Sequence, residues 1–271
     1  MGTALGLGIG IPFLRRIGGG GNTPRTAAFL AATGITDPTI ISALNTLDNS
    51  LITAGLLPSG TGSGKIKALY PIVGGTATTH KFNFVDPRDL NPAFRLDFFG
   101  GLTHSSNGIL PNGVNGYADT FVNALSNLNN DNLHMSFYSR TNNQTVGYEI
   151  GVLNTELNII CSYSSSNLGY LSYDGFSSFS VSDSQGLYIL SKTPAKLEGY
   201  KKGVKVVNVS KSPKILPNLT IPLFADNRTT YFEFSSKECA FATIGEGLTE
   251  SEAISLTTIN NTFQTTLGRA V

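Results

Sequence analysis

From about residue 66 onward, short apolar runs rich in Phe, Tyr, Val, Ile, Ser and Thr recur between breaks of Gly, Asn, Asp and Pro. Runs of this length, bounded by turn residues, read as β-strands. The pattern predicts strands over residues 94–99, 119–122, 133–139, 146–153, 157–163, 168–173, 177–182, 186–191, 195–200, 204–210, 219–225 and 239–244. Many short strands with polar turns make an antiparallel sandwich or barrel. Lys201, Lys202 and Gly203 fit a tight hairpin between two of the strands. No internal repeat is evident.

Helical spacing frames this β region. Thr23 can cap a first helix, with Pro24 at its first position and Gly34 after its end. Asp37 and Pro38 open a second in the same way. Ile40, Ile41, Leu44, Leu47, Leu51 and Ile52 line one face of it, and Gly55 closes it. Two helices this small have little core of their own, so they must pack on the following domain or on copies of themselves. Self-association through Ile40, Leu44, Leu47 and Leu51 is the expectation. Near the C-terminus Thr249 and Glu252 form a capping box. The stripe Leu256, Ile259, Phe263 and Leu267 follows and is expected to lie on the sandwich or on the first two helices, with Gly268 as the stop.

Before the helices, residues 1–21 are Gly-rich, with apolar side chains every second position at Leu5, Leu7, Ile9, Ile11 and Phe13, followed by Leu14. A period of two is that of a half-buried strand. Such a segment satisfies its backbone by pairing with another chain, so it is expected to anchor the protein in an assembly. The chain thus divides into an extended segment (1–21), two helices with a linker (22–65) and a sandwich ending in a helix (66–271).

Composition sharpens this picture. Of the 271 residues only 14% are charged, against roughly 25% in an ordinary soluble domain. Asn, Ser, Thr and Gly take up the difference, giving a neutral polar surface suited to packed assemblies or carbohydrate. The net charge of +1 argues against a broad nucleic-acid footprint. Lys192, Lys196, Lys201, Lys202, Lys205, Lys211 and Lys214 cluster, and are expected on the exposed side of hairpins. No apolar stretch reaches the roughly 18 residues of a membrane span. The N-terminal run has no preceding positive charge and no small-residue cleavage site, so a signal peptide is not expected. Gly6 stands where a myristoylation signal has Ser or Thr. The expectation is a product of the cytosol that joins a particle. Cys161 and Cys239 sit in apolar runs and read as buried free thiols, a single disulfide being left open by the sequence.

Candidate chemistry is sparse. Gly60, Gly62, Gly64 and Lys65 imitate a phosphate-binding loop, but Ser59 replaces its first Gly and Ile66 its hydroxyl. A glycosidase on a sandwich needs two carboxylates about 5–5.5 Å apart for retention, and no such strand signature occurs. Glu149, with Glu156 across a turn, is the best isolated strand carboxylate and is expected to face solvent. His134, Ser136 and Tyr138 alternate as a polar outer face. No Ser lies in a Gly-x-Ser-x-Gly elbow. No catalytic residue is assigned. Two Cys and three His without close spacing make no zinc site. Calcium would need clustered oxygens, and Asp86 with Asp89, or Asp119 with Asn115, are the weak candidates.

Three stretches carry a family resemblance. Tyr200-Lys201-Lys202-Gly203 resembles the Tyr-x-Asn-Gly hairpin of laminin-G-like domains, with Lys202 in place of Asn. Residues 241–252, Phe241 through Gly247, Leu248 and Thr249 to Glu252, are similar to the closing strand and helix start of those domains. Residues 68–83, together with 86–89, 103–108 and 115–118, look like a family of tailed-bacteriophage structural proteins that carry a concanavalin-A-like jelly roll. The resemblance implies a virion component, tail- or baseplate-associated, that docks through its N-terminus onto other phage structural proteins, as a homo-oligomer. It also implies an alternative: a carbohydrate-binding adhesion module for host surface polysaccharide, with His104, Asn115, Tyr117, Tyr170 and Tyr173 as candidate glycan contacts beside Tyr163. The chain holds no Trp, the strongest stacking platform for sugars. A polysaccharide-degrading enzyme is the third reading.

Overall fold

The computed structural model describes residues 21–153, 157–163, 167–194 and 196–271. The anchoring expectation for Leu5, Leu7, Ile9, Ile11, Phe13 and Leu14 therefore lies outside the described residues, as does Glu156. Helices α1 (Pro24–Thr33) and α2 (Pro38–Thr53) come first, α3 (Ala77–His80) and α4 (Ala124–Asn127) are single turns, and α5 (Glu250–Thr266) closes the chain. The strands are β1 (Ile66–Tyr70), β2 (Asp97–Phe99), β3 (Leu102–Ser105), β4 (Gly108–Pro111), β5 (Tyr117–Asn123), β6 (Leu133–Ser139), β7 (Ile150–Val152), β8 (Leu157–Tyr163) and β9 (Leu168–Ser172). They continue as β10 (Ser178–Ser180), β11 (Gly186–Thr193), β12 (Lys196–Lys201), β13 (Val204–Val209), β14 (Thr220–Leu223), β15 (Asp226–Asn227), β16 (Tyr231–Phe232) and β17 (Cys239–Gly245).

The strands form two sheets. The first runs β13-β12-β11-β6-β17-β4-β3, with β1 also on β17. The second runs β10-β9-β8-β7-β14-β5-β2, with the β15–β16 hairpin attached at β7. Pairing between these strands is antiparallel except for a parallel contact of β15 with β7, which the isolated parallel bridge Tyr148–Phe234 flanks. Met135, Phe137, Tyr188, Leu190, Ala242 and Ile244 of the first sheet meet Val122, Ile150, Ile159, Leu171 and Leu223 of the second in a shared core. This is the antiparallel sandwich, with N-terminal helices and a C-terminal helix, that the strand pattern predicts.

The turn chemistry matches the sequence. Lys201 pairs with Val204 across Lys202 and Gly203, whose φ values of 50° and 81° lie in the left-handed region. Gly tolerates that region and Asn visits it more readily than Lys. Caps form as their residues dictate. Thr23 accepts from Thr26 N, Asp37 from Thr39 N and Ile40 N, and Thr249 with Glu252 closes the capping box.

A second core lies outside the first sheet. Tyr138, Leu187, Ile189, Tyr200 and Phe241 point away from the sandwich and are covered by Leu44, Leu47 and Leu51 of α2 and by Leu256 and Phe263 of α5. Three corrections follow from this third layer. Leu44, Leu47 and Leu51 are buried inside their own chain, so they cannot form the expected contact with other copies; Ile40 is half-buried beside them. Second, His134, Ser136 and Tyr138 are not a wet outer face, because the helical layer covers it and β6 is buried along its whole length. Third, Lys192 is not an exposed hairpin lysine: it is buried, with its ammonium on the Asp131 carboxylate and 2.7 Å from the Thr193 carbonyl.

Two buried cations tie the helices down. Arg25 is paired with Asp48 and donates to the Pro58 and Gly62 carbonyls at 3.2 and 3.1 Å, so the Gly-rich linker is held onto α1. Arg269 donates to the carbonyls of Ile72, Pro71 and Ala240 at 2.6, 2.8 and 3.0 Å, and burial lowers its pKa to about 10. Cys239 is a free buried thiol, pushed up to about 12 by burial.

Candidate functional site

The second sheet leaves its outer face accessible along β5 and its edge strand β2. Along β5, Ala118, Thr120 and Val122 point into the core, so Tyr117, Asp119 and Phe121 point out. Antiparallel pairing with β2 sets Phe99 opposite Tyr117 and Asp97 opposite Asp119. Directly opposed side chains stand within contact range, and here they make an aromatic pair beside a carboxylate pair. The Phe99 and Tyr117 rings stack at 4.9 Å with 14° between their planes. The β15–β16 hairpin adds Tyr231, stacked on Tyr117 at 3.9 Å, and Phe234 lies 6.2 Å from Tyr117. Phe99 ends this row and is 41% exposed; Phe232 on the same hairpin is 47% exposed.

The polar groups beside the rings are fixed. The Asp119 carboxylate accepts from the Tyr231 hydroxyl at 3.1 Å, the Thr220 hydroxyl at 3.0 Å and the Phe121 amide at 2.8 Å. Asp97 makes a single long contact, 3.4 Å from Arg95. Burial, reinforced by Asp119, pushes the Tyr231 phenol up to about 12, and burial with Asp119 and Asp97 raises that of Tyr117. Both phenols are therefore O–H donors throughout the physiological range.

A loop borders the rings. Asn112 Oδ1 accepts from the amides of Val114, Asn115 and Gly116, and Asn115 Oδ1 accepts from Gly101 N at 3.0 Å. A Cβ on Gly100, whose φ is 66°, would stand 2.0 Å from the Asn115 carbonyl oxygen, so only Gly lets the two loops close. His104 packs edge-on against Phe98 at 4.6 Å, and its Nδ1 lies 3.0 Å from Nδ1 of buried His80. His80 Nε2 accepts from Gly75 N, so in the neutral ring Nδ1 carries the proton and His104 Nδ1 accepts it. Burial and the neighbouring His104 and Arg269 lower His80 to about 3, and burial also lowers His104.

Of the residues picked out by sequence, Tyr117 and Asn115 lie at the aromatic row, whereas His104, on β3 of the first sheet, packs on Phe98, which faces the core side of β2 and not the row. Asn115 serves the loop as well as facing solvent. Tyr170 sits four strands away on β9, edge-on to exposed Phe176 at 5.4 Å. Tyr173 is a correction: it is buried, and its hydroxyl bonds the Asn130 carbonyl and the Lys214 amide. Phe99 and Asp97 escaped notice although their alternation within residues 94–99 was a usable signal. Tyr231 had none, since residues 226–238 lack a strand pattern.

Glu149 is a further correction. It is buried, not solvent-facing, 3.2 Å from the buried Lys237 ammonium and 3.0 Å from the Ser235 hydroxyl. The Ser136, Thr243 and His134 side chains form a chain at 2.6 and 3.0 Å, but all three are enclosed between sheet and helices. The calcium candidates are otherwise engaged: Asp86 by Arg88, Asp89 by Lys81, and Asp119 as above. Among the described residues no group of three or more His, Cys, Asp or Glu could hold a metal. What the surface offers is rigid aromatic rings, phenol donors and carboxylate acceptors.

No protein-family model matches the chain, and no curated protein does. Solved structures do. Trypanosoma rangeli sialidase in complex with the inhibitor DANA is 13% identical at a TM-score of 0.52, covering 80% of this chain and 38% of the sialidase. The same enzyme with sialic acid is 12% identical at 0.51, covering 81% and 38%. Domain 4 of an extracellular arabinanase from Geobacillus stearothermophilus, in complex with arabinotriose, is 13% identical at 0.49, covering 71% of this chain and 98% of that domain. The chain thus spans well under half of the sialidase, and at these identities the likeness is one of fold.

Proposed function

We propose that this chain is a carbohydrate-binding module whose site is the aromatic row on the open face of the second sheet. The observation that carries the reading is the stack of Phe99, Tyr117 and Tyr231 beside Asp97 and Asp119. Sugars present apolar C–H faces to aromatic rings and hydroxyls to carboxylates and phenols, and a few well-placed polar groups set orientation in such sites. The sandwich likeness to a sialidase supports the reading at the level of fold, as a type of domain found in proteins that handle carbohydrate. Binding without catalysis is part of the proposal, since Glu149 is engaged by Lys237.

The test is a glycan array followed by calorimetry on the best ligand. Phe99→Ala and Tyr117→Ala are expected to weaken binding by about two- to twelvefold each, from the roughly 0.5–1.5 kcal/mol that an aromatic contact contributes beyond area. A blank array at high protein concentration, or full affinity in both variants, would refute the site.

We further propose, from the sequence resemblance and the alternating apolar positions Leu5 to Phe13, that the sandwich is carried on a bacteriophage particle. Residues 1–21 would dock onto other phage structural proteins and the sandwich would be displayed to the host surface. With Leu44, Leu47 and Leu51 enclosed, this role rests on the N-terminal segment alone and not on the helices.

A further inference from the structure

At the far end of β5 from the aromatic row, a cavity of about 790 Å³ opens between α1, the residue 61–63 loop, β1 and residues 83–94. A seven-residue strand separates the two, about 20 Å at 3.3 Å per residue. Its volume lies within the roughly 300–1,000 Å³ of small-ligand clefts. Arg25 and Asn83, both fully buried, form its floor. The ring of Phe94 and Pro92 supply an apolar wall, and Lys67, Asp86 and Arg88 stand at its sides.

The charge of this lining is one-sided. Three cations, Arg25, Lys67 and Arg88, face one carboxylate, Asp86. Arg88 grips Asp86 with two nitrogens at 2.8 and 2.5 Å, and Arg25 is matched by Asp48 behind the wall. Among the described residues Lys67 has no acidic partner: its ammonium donates to the Asn127 carbonyl at 2.6 Å. Among the described residues, Nε of Arg25 and Oδ2 of Asp48 both lack a hydrogen-bond partner, so that pair is neutral as a unit and the unmatched charge is that of Lys67. The cavity therefore holds the Lys67 ammonium, unmatched by a carboxylate, next to an apolar wall and the side chains of Asn127 and Ser126.

We infer that this cavity is a second saccharide site, separate from the aromatic row, for a sugar unit bearing a carboxylate. The carboxylate would pair with Lys67, the C–H face of the ring would lie on Phe94 and Pro92, and the hydroxyls would meet the amides. The inference does not depend on the aromatic row binding anything.

The full chain is titrated calorimetrically with trigalacturonic acid, with neutral galactotriose and with sodium sulfate. Trigalacturonic acid is expected to bind at least tenfold tighter than either control, and to weaken as salt screens the contact. Lys67→Gln and Arg88→Gln are expected to lower that affinity about tenfold and fivefold. Arg88 is mostly exposed, so its variant keeps the test open should Lys67→Gln fold poorly. Phe99→Ala with Tyr117→Ala should leave this binding unchanged. Equal affinity for the acidic and neutral trisaccharides, an equal response to sulfate, no binding at millimolar ligand, or loss of binding in the Phe99/Tyr117 variant would each overturn the assignment.

Discussion

Acid should unfold this protein through its histidines before its carboxylates titrate. His80 is held neutral down to about 3 and His134 down to about 4, against an ordinary value of 6.5, burial being the main cause for both. His80 faces His104 and Arg269, and its Nε2 must stay unprotonated to accept from Gly75. His134 lies between the Glu246 carbonyl and the Thr243 hydroxyl. Above pH 6.5 both states of the protein leave these rings neutral. As pH falls below 6.5 the unfolded chain takes up protons that the folded chain refuses, so stability drops. At about 1.4 kcal/mol per pH unit, the two units down to pH 4.5 cost about 2–3 kcal/mol per histidine, about 5 together. His104 adds in the same direction. Asp226, raised by burial, acts oppositely: its stabilising proton is lost as pH rises, so it offsets part of the loss on the acid side. Urea unfolding followed by far-ultraviolet circular dichroism at pH 7.5, 5.5 and 4.5 reads the effect. With a denaturant slope of about 3 kcal/mol per molar, the midpoint should fall by about 1.5 M between pH 7.5 and 4.5. His80→Asn should remove about half of that dependence, and His134→Asn a similar share. A midpoint unchanged between pH 7.5 and 4.5, or a full pH dependence retained in both variants, would refute the reasoning.

Two further outcomes are expected. Lys237→Met strands the Glu149 carboxylate in the core and should cost about 3–5 kcal/mol in the same unfolding assay, whereas Lys237→Met with Glu149→Leu should recover most of it; a single variant as stable as the parent would show that the pair is not enclosed. Light scattering should find the chain lacking residues 1–21 monomeric where the full chain associates, and equal masses for the two would remove the docking role proposed for Leu5 to Phe13.

The strand pattern and the caps were legible because they are local. Period-two alternation, Thr23-Pro24, Asp37-Pro38, Thr249 with Glu252 and Lys202-Gly203 each act within a few residues, and the structure places each as its chemistry requires. The third layer was not legible in the same way. His134, Ser136 and Tyr138 look wet to any reading of β6 alone, since what covers them comes from α2 and α5, over 80 residues before and over 100 after. Glu149 and Lys237 illustrate the same limit: each charge is tolerable inside only because the other is there, and they stand far apart in sequence. The aromatic row was half legible. Tyr117 stood out as an aromatic beside an Asn-Gly turn, whereas Tyr231 reaches the row through a short hairpin whose own residues carry no period.

The helical layer makes the strands it covers answer to mutation differently from β5. β6 and β17 are enclosed along their entire length, so each position there has a neighbour to fit. On β5 only alternate positions are enclosed. A saturation scan should therefore show unbroken intolerance along β6 and β17 and a two-residue rhythm along β5. Sequence drift is therefore channelled by strand and not by sheet: β6 and β17 are bound to their present side chains, whereas the outward positions of β5 and β2, Tyr117, Phe99 and Asp97 among them, can change with little disturbance to the core beneath.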